Sequence, residues 1–293
     1  PVSFYCLKGE FGMKILVTGV KGQLGYDVMK VLHQRDAACL GADIEDFDIT
    51  DAAATAAFIV RYAPDAVIHC SAYTAVDRAE EEAALCERVN VDGARNIAAA
   101  CKKIGAKMVY ISTDYVFPGT GERFYETDDP IGPLNVYGKT KLGGELAVQE
   151  LLERYFIVRV SWVFGKNGNN FVKTMLRLGQ ERDQVDVVCD QIGSPTYTAD
   201  LAPLLCDMVA TEKYGVYHAT NEGICSWADF AAEIFRLGRC RAKVNPIPSS
   251  EYPVKAVRPC NSRMSKKSLD AAGFSRLPSW QDALVRYLKE IQE

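Results

Sequence analysis

A short apolar run, Lys14–Thr18, leads straight into Gly19-Val20-Lys21-Gly22-Gln23-Leu24-Gly25, and an amphipathic stretch, Leu24–His33, follows. This junction constrains the fold more than any other part of the chain. Glycine permits the tight turn and lets backbone amides approach an anion at the helix N-terminus, where the dipole favours negative charge. The pattern is G-x-x-G-x-x-G, and the next strand candidate, Cys39–Asp43, ends in a carboxylate 18 residues after Gly25. A carboxylate there accepts hydrogen bonds from both hydroxyls of an adenosine ribose. The junction therefore predicts a dinucleotide site, with Gly19, Gly22 and Gly25 at the pyrophosphate and Asp43 at the ribose. Asp43 repels a 2′-phosphate and favours NADH, whereas Lys21 suits that phosphate and favours NADPH. The residues leave the choice open.

The same rhythm continues. Ala66–Cys70, Lys107–Ser112 and Phe156–Val160 read as strands, with helices over Ala52–Tyr62 and Val89–Ile104. In the latter, Val91, Ala94, Ile97, Ala98, Cys101 and Ile104 recur at helical spacing. Short apolar strands separated by amphipathic helices give βαβ units, and so an α/β fold with a doubly wound parallel sheet covered on both faces. After Gly165 the rhythm breaks. Helices are expected over Phe171–Gln180, Asp200–Val209, Trp227–Arg236 and Trp280–Ile291, with strands at Val185–Cys189 and Val216–Ala219. We expect a dinucleotide-binding domain over 13–165, revisited near 198–220. A smaller, partly interleaved α/β domain is expected from 166–197 and 221–293. Residues 1–12 carry no initiator, and they are expected to be an appended tail ahead of a natural start at Met13.

Composition excludes several classes. Lys and Arg number 34 against 38 Asp and Glu, a net charge of −4, and no basic block is present to meet nucleic acid or a membrane surface. No apolar run reaches the ~18–20 residues of a membrane span, so a soluble, cytoplasmic protein is expected. The ten cysteines form no C-x-x-C pair, and most sit in apolar runs, which reads as free buried thiols in a reducing compartment. The three histidines, His33, His69 and His218, give a histidine-based triad or zinc site little to build from. They read as structural, and no metal ligands are assigned. The run Glu80-Glu81-Glu82 reads as a solvated helix start.

Tyr137-Gly138-Lys139-Thr140-Lys141 opens a further predicted helix. Tyr137 and Lys141, at i and i+4, share one face. A tyrosine with its ordinary pKa near ~10 is a poor proton donor or acceptor at neutral pH. A neighbouring ammonium and a cationic nicotinamide ring both stabilise phenolate and bring it toward working range. Lys141 can also hold the nicotinamide ribose. Upstream, the strand ending Ile111-Ser112-Thr113-Asp114-Tyr115 places a hydroxyl where open α/β sheets bind ligands. Thr113 suits a substrate carbonyl, and side-chain alternation lets only one of Ser112 and Thr113 face the site.

The glycine loop, the strand-end acid, Thr113 and Y-x-x-x-K, in this order, resemble the extended short-chain dehydrogenase/reductases. Longer strings are similar to the dTDP-4-dehydrorhamnose reductases within that family, and cover essentially everything from Met13. They include Ala72-Tyr73-Thr74-Ala75-Val76-Asp77, Ser112-Thr113-Asp114-Tyr115-Val116-Phe117, Arg159-Val160-Ser161-Trp162 and Arg258-Pro259-Cys260-Asn261-Ser262. The resemblance implies NADPH or NADH as cofactor. Gly22, Gln23 and Leu24 would meet the pyrophosphate, Asp48 and Ile49 the adenine, and Ala72, Tyr73 and Thr74 the nicotinamide half. Thr113, Tyr137 and Lys141 would be catalytic, with Val76, Asp114, Tyr115 and Trp162 near a nucleotide-linked sugar. The implied reaction is reduction of a 4-ketosugar nucleotide, the last step in forming dTDP-rhamnose for cell-surface polysaccharide. Another 4-ketosugar nucleotide, or a non-catalytic regulatory subunit like that of methionine adenosyltransferase, are the alternatives. Some relatives form homodimers linked by Mg²⁺ on glutamates, one of them on the first helix. The matching position is Asp27, one methylene shorter, which counts against a metal-linked dimer.

Overall fold

The computed structural model describes residues 12–292, so the expected tail, apart from Gly12, lies outside the described residues. Six strands make one sheet: β1 (Lys14–Thr18), β2 (Ala38–Ala42), β3 (Ala66–His69), β4 (Lys107–Thr113), β5 (Tyr155–Val160) and β6 (Gly215–His218). Their order is β6-β5-β4-β3-β1-β2, and every pairing is parallel. Eight principal helices accompany them: α1 (Gln23–Gln34), α2 (Ala52–Tyr62), α3 (Gly93–Ile104), α4 (Val136–Leu151), α5 (Phe171–Glu181), α6 (Thr198–Val209), α7 (Trp227–Leu237) and α8 (Trp280–Glu290). The chain leaves β1 toward β2, then crosses back to β3. The crevice this reversal opens, beyond the carboxyl ends of β1 and β3, is where such sheets take ligands.

Strand alternation builds the two cores. Ile15 and Val17 face one side with Leu24, Val28 and Leu32 of α1 and Leu201 and Leu205 of α6. Leu16 faces the other with Ile59 of α2, Ile97 and Ala98 of α3 and Val148 of α4. Both faces are dry, as a parallel sheet requires. A third core holds a second lobe, with Phe164, Val172, Met175, Phe230, Ile234, Trp280, Leu284 and Tyr287 in contact. A small parallel pair, Gln184–Val188 with Lys243–Ile247, edges that lobe.

Predicted and observed elements agree closely in the sheet. β2 stops at Ala42, which leaves Asp43 just beyond the strand end. The predicted helix over Val89–Ile104 has one π turn, Arg88–Asp92, before regular α-helix begins at Gly93. Cys86, Cys101, Cys206 and Cys225 are buried thiols, Cys39, Cys70 and Cys240 are half-buried, and Cys189 and Cys260 are exposed. Among the described residues no helix is long and apolar enough to cross a membrane.

One charged pair crosses the core beneath the strand ends. Arg159 of β5 meets Glu145 of α4 at 2.8 Å, with Arg159 4% and Glu145 1% exposed. Arg159 also donates to the Thr127 carbonyl at 3.0 Å, and Ser112 of β4 donates its hydroxyl to Glu145. This network pins α4 to β4 and β5.

Candidate active site

The glycine loop is tight for a physical reason. Gly19 has φ +72°, and a Cβ there would sit 2.7 Å from the Ser71 nitrogen; one on Gly25 would sit 2.2 Å from the Gly19 carbonyl oxygen. The loop ends at Gly22, the N-cap of α1. It borders a cleft of about 290 Å³, lined by Gly19, Lys21, Gly22, Asp43, Asp48, Ile49 and Ala72 among others. Bare backbone at a helix N-terminus, beside a strand-end carboxylate, fits a dinucleotide. Asp43 accepts from the Lys21 and Ile44 amides, both at 2.9 Å. The Lys21 ammonium lies instead on Glu45, at 2.5 Å, and both side chains are well exposed. Asp48 accepts from the amide and hydroxyl of Thr50, and Ile49 is buried against Gly93.

Leu24 is buried in the core. Gln23 turns toward the second lobe, where its carbonyl accepts from the Gly165 amide at 2.9 Å and from Asn170 at 3.0 Å. Asn167 donates to the Lys21 carbonyl at 2.6 Å. Asp27 is 1% exposed and accepts from the Thr198 hydroxyl. Burial pushes its carboxyl above the usual range.

Thr113 ends β4, where its hydroxyl meets the Tyr137 phenol, and Lys141 follows one turn along α4. Asn135 caps α4 by accepting from the Gly138 amide at 2.8 Å, and Glu80 accepts from the Val136 amide at 2.8 Å. A carboxylate at a helix N-terminus is favourable, so Glu80 anchors the start of α4 and is more than a solvated charge. Gly138 allows close approach, since a Cβ there would lie 2.4 Å from the Tyr115 carbonyl oxygen. Tyr115 and Tyr137 consequently meet edge to face, with ring centroids 5.6 Å apart. Burial pushes the Tyr137 phenol up, while a hydrogen bond with the Thr113 hydroxyl acts the other way. Thr113 is 4% exposed and also donates to Asp114 at 3.0 Å. Asp114 is itself raised to about 6 by burial, opposed by hydrogen bonds with Ser262 and Thr113. Lys141 is 2% exposed, and burial lowers its ammonium to about 7 against the opposing charge of Glu145. Ser112 points the other way, to Glu145, so alternation separates the two hydroxyls.

Asn90 gave no periodic signal, yet it organises the site. It lies in the π turn, accepts from the Tyr73 amide at 2.8 Å, and donates to the Tyr73 carbonyl and Thr140 hydroxyl, both at 3.1 Å. It thereby ties the Ala72–Tyr73 segment to the helix carrying Tyr137. Tyr73 spends its hydroxyl on Glu82 at 2.6 Å, and Thr74 is exposed.

A second cavity, of about 370 Å³, lies where the short helix Val76–Ala79 faces the second lobe and is lined by Asp77, Phe171, Gln191, Trp227, Tyr252 and Arg258 among others. Asp77 and Arg258 pair across it at 2.7 Å, and Val76 opens the short helix that carries Asp77. Trp162 stands between β5 and this lobe with φ +51°, a conformation bulky residues rarely adopt. Its ring stacks on Trp227, with centroids 3.8 Å apart and planes 16° from parallel.

The sequence profile of the family described as RmlD substrate binding domain matches residues 13–293. The dTDP-4-dehydrorhamnose reductase of Streptomyces griseus is 45% identical over 277 residues, covering 92% of this chain and 91% of that protein. The chain belongs to the dTDP-4-dehydrorhamnose reductase family. A crystal structure of such a reductase from Bacillus anthracis, in complex with NADP, superposes with a TM-score of 0.93 at 43% identity, covering 97% of this chain and all of that one. A dTDP-4-keto-6-deoxy-D-glucose reductase of Streptomyces niveus is 38% identical over 273 residues, covering 92% of this chain and 95% of that protein. The family is one of oxidoreductases with a Rossmann-like fold, and the parallel sheet and glycine loop described above are its frame.

Proposed function

We propose that this protein reduces the C4 keto group of dTDP-4-dehydro-β-L-rhamnose to give dTDP-β-L-rhamnose, using NADPH or NADH. The observation that carries the reading is the contact of Thr113 with Tyr137 at the end of β4, with Lys141 one turn along the same helix. When bound, the reduced nicotinamide supplies the hydride. Tyr137, kept protonated by burial, gives its proton to the oxygen as it becomes an alkoxide. Thr113 orients that oxygen, and Lys141 holds positive charge near the phenol and the nicotinamide ribose. The enzyme contributes alignment and electrostatics. Within this reading, 13–165 with 198–220 bind the dinucleotide, and 166–197 with 221–293 receive the sugar nucleotide in the cytoplasm.

The test is loss of NAD(P)H absorbance when purified protein meets the ketosugar nucleotide. Turnover with the sugar nucleotide separates an enzyme from a regulatory subunit that only binds the dinucleotide. The Streptomyces niveus relative favours a second substrate, a 4-keto-6-deoxyglucose nucleotide. Comparing kcat/KM for the two ketosugars decides between them, because fold and chemistry are shared and only the sugar's stereochemistry differs.

Cofactor choice follows from the loop. Asp43 is held by two amides and Lys21 is held by Glu45, so neither is committed to a 2′-phosphate. Both cofactors should support turnover, with a preference within about a hundredfold, or ~2.7 kcal/mol. Asp43→Ala should move kcat/KM toward NADPH, and Lys21→Ala toward NADH. Unmoved ratios in both variants would show that neither side chain reaches the 2′ position.

Trp162 is assigned to the apolar face of the hexose, including its C6 methyl. Trp162→Ala should cut kcat/KM for the ketosugar roughly tenfold or more, given ~25 cal/mol per Å² of buried apolar surface. The dissociation constant of NADPH should stay unchanged. A lower melting temperature with normal ketosugar kinetics would mean that the ring serves only as packing for Trp227.

A further inference from the structure

Lys141 is buried in an unusual way for an ammonium. Among the described residues its Nζ makes no hydrogen bond and no ion pair, although only 2% of the residue is exposed. The groups around it are all otherwise engaged or uncharged. Glu145, one turn along α4, is taken by Ser112 and by both arms of Arg159. His69, at the end of β3, shares a hydrogen bond with Thr18 at 2.7 Å and is held neutral, with burial taking it down to about 3. The thiols of Cys70, beyond β3, and Cys86, in the short helix Ala83–Glu87, are pushed up by burial. Tyr137, on the same face of α4, is likewise pushed up and stays a neutral phenol. What does meet the ammonium is an aromatic face. Lys141 Nζ lies 4.1 Å from the ring centroid of Tyr110 in β4. Tyr110 is 1% exposed, and its hydroxyl donates to the Lys141 carbonyl at 3.2 Å. One side chain therefore holds both the backbone and the charged tip of the same residue.

We propose that Tyr110 is a positioning residue for the reaction, holding the Lys141 ammonium by its ring face where no protein acceptor pairs with it. This rests on the reading that Lys141 must be charged during turnover. A cation over a ring is attracted by the ring's negative quadrupole, and most strongly when both are desolvated. Weakening that face destabilises the charged form and lowers the lysine pKa. Activity, which falls as Lys141 loses its proton, should then fail at lower pH.

The experiment replaces Tyr110 with phenylalanine, then with phenylalanines carrying one, two and three ring fluorines. Fluorination drains the π face with little change in size. The Lys141 pKa is read by NMR on the full chain with isotope-labelled lysine, and the basic limb of the kcat/KM profile is followed alongside. Tyr110→Phe should keep the limb near its original position. Each fluorine should then lower both readouts, by about one pH unit or more over the series, with the melting temperature held. A Lys141 pKa that is constant across the fluorinated series overturns the proposal. A pKa that falls stepwise while no variant, nor the parent, turns over the ketosugar keeps the Tyr110 contact and removes the functional reading instead.

Discussion

Tyr137→Phe should lower turnover by at least ~10²-fold, the low end of what a positioned general acid contributes. The ring remains to pack against Tyr115, so NADPH affinity should hold within about twofold and the fold should be intact. Rates within threefold of the parent would exclude Tyr137 as the proton donor. The companion change, Lys141→Met, should reduce both turnover and cofactor affinity, because that residue is assigned to the phenol and to the ribose together. Normal cofactor affinity there would remove the second role. The two variants thus separate proton transfer from positioning by the ratio of kinetic to binding effects.

Glu145→Leu should cost about 3–5 kcal/mol of stability, since it leaves the Arg159 guanidinium buried without a counter-charge, met by the Thr127 carbonyl and the Phe117 ring. Urea unfolding followed at two wavelengths would read this as a lower midpoint with an unchanged slope. The double variant Glu145→Leu/Arg159→Met should regain most of the loss, because two apolar side chains then replace a desolvated pair. If the single variant loses under about 1 kcal/mol, the pair behaves like an exposed surface bridge and does not pin α4 to the sheet.

The sheet and the side chains proposed as catalytic carry local signals in the sequence. β1 with its glycine loop, the strand-end Asp43 and the Tyr137–Lys141 spacing each lie within a few residues, and alternation along β4 already forced Ser112 and Thr113 to opposite faces. What stayed hidden are the pairings between distant residues. Gln23 finds Gly165 at a separation of 142 residues, and Asn90 finds Thr140 at 50. Periodicity says which face of an element is buried, not what it is buried against. The Glu80 run looked like solvated charge for the same reason: its partner, the Val136 amide, is exposed only because a helix starts there. In the second lobe, short strands and proline-rich loops replace long periodic segments, so the cavity walled by Phe171, Trp227 and Arg258 has no local signature.

The clamp formed by Gln23, Asn167 and Asn170 ties the anion-facing loop to the point where the chain enters the second lobe. Under the proposed function, a displacement of that loop by the dinucleotide would be felt at the wall assigned to the sugar nucleotide. Linkage makes such an effect mutual: whatever factor the dinucleotide adds to sugar-nucleotide affinity, the sugar nucleotide returns to the dinucleotide.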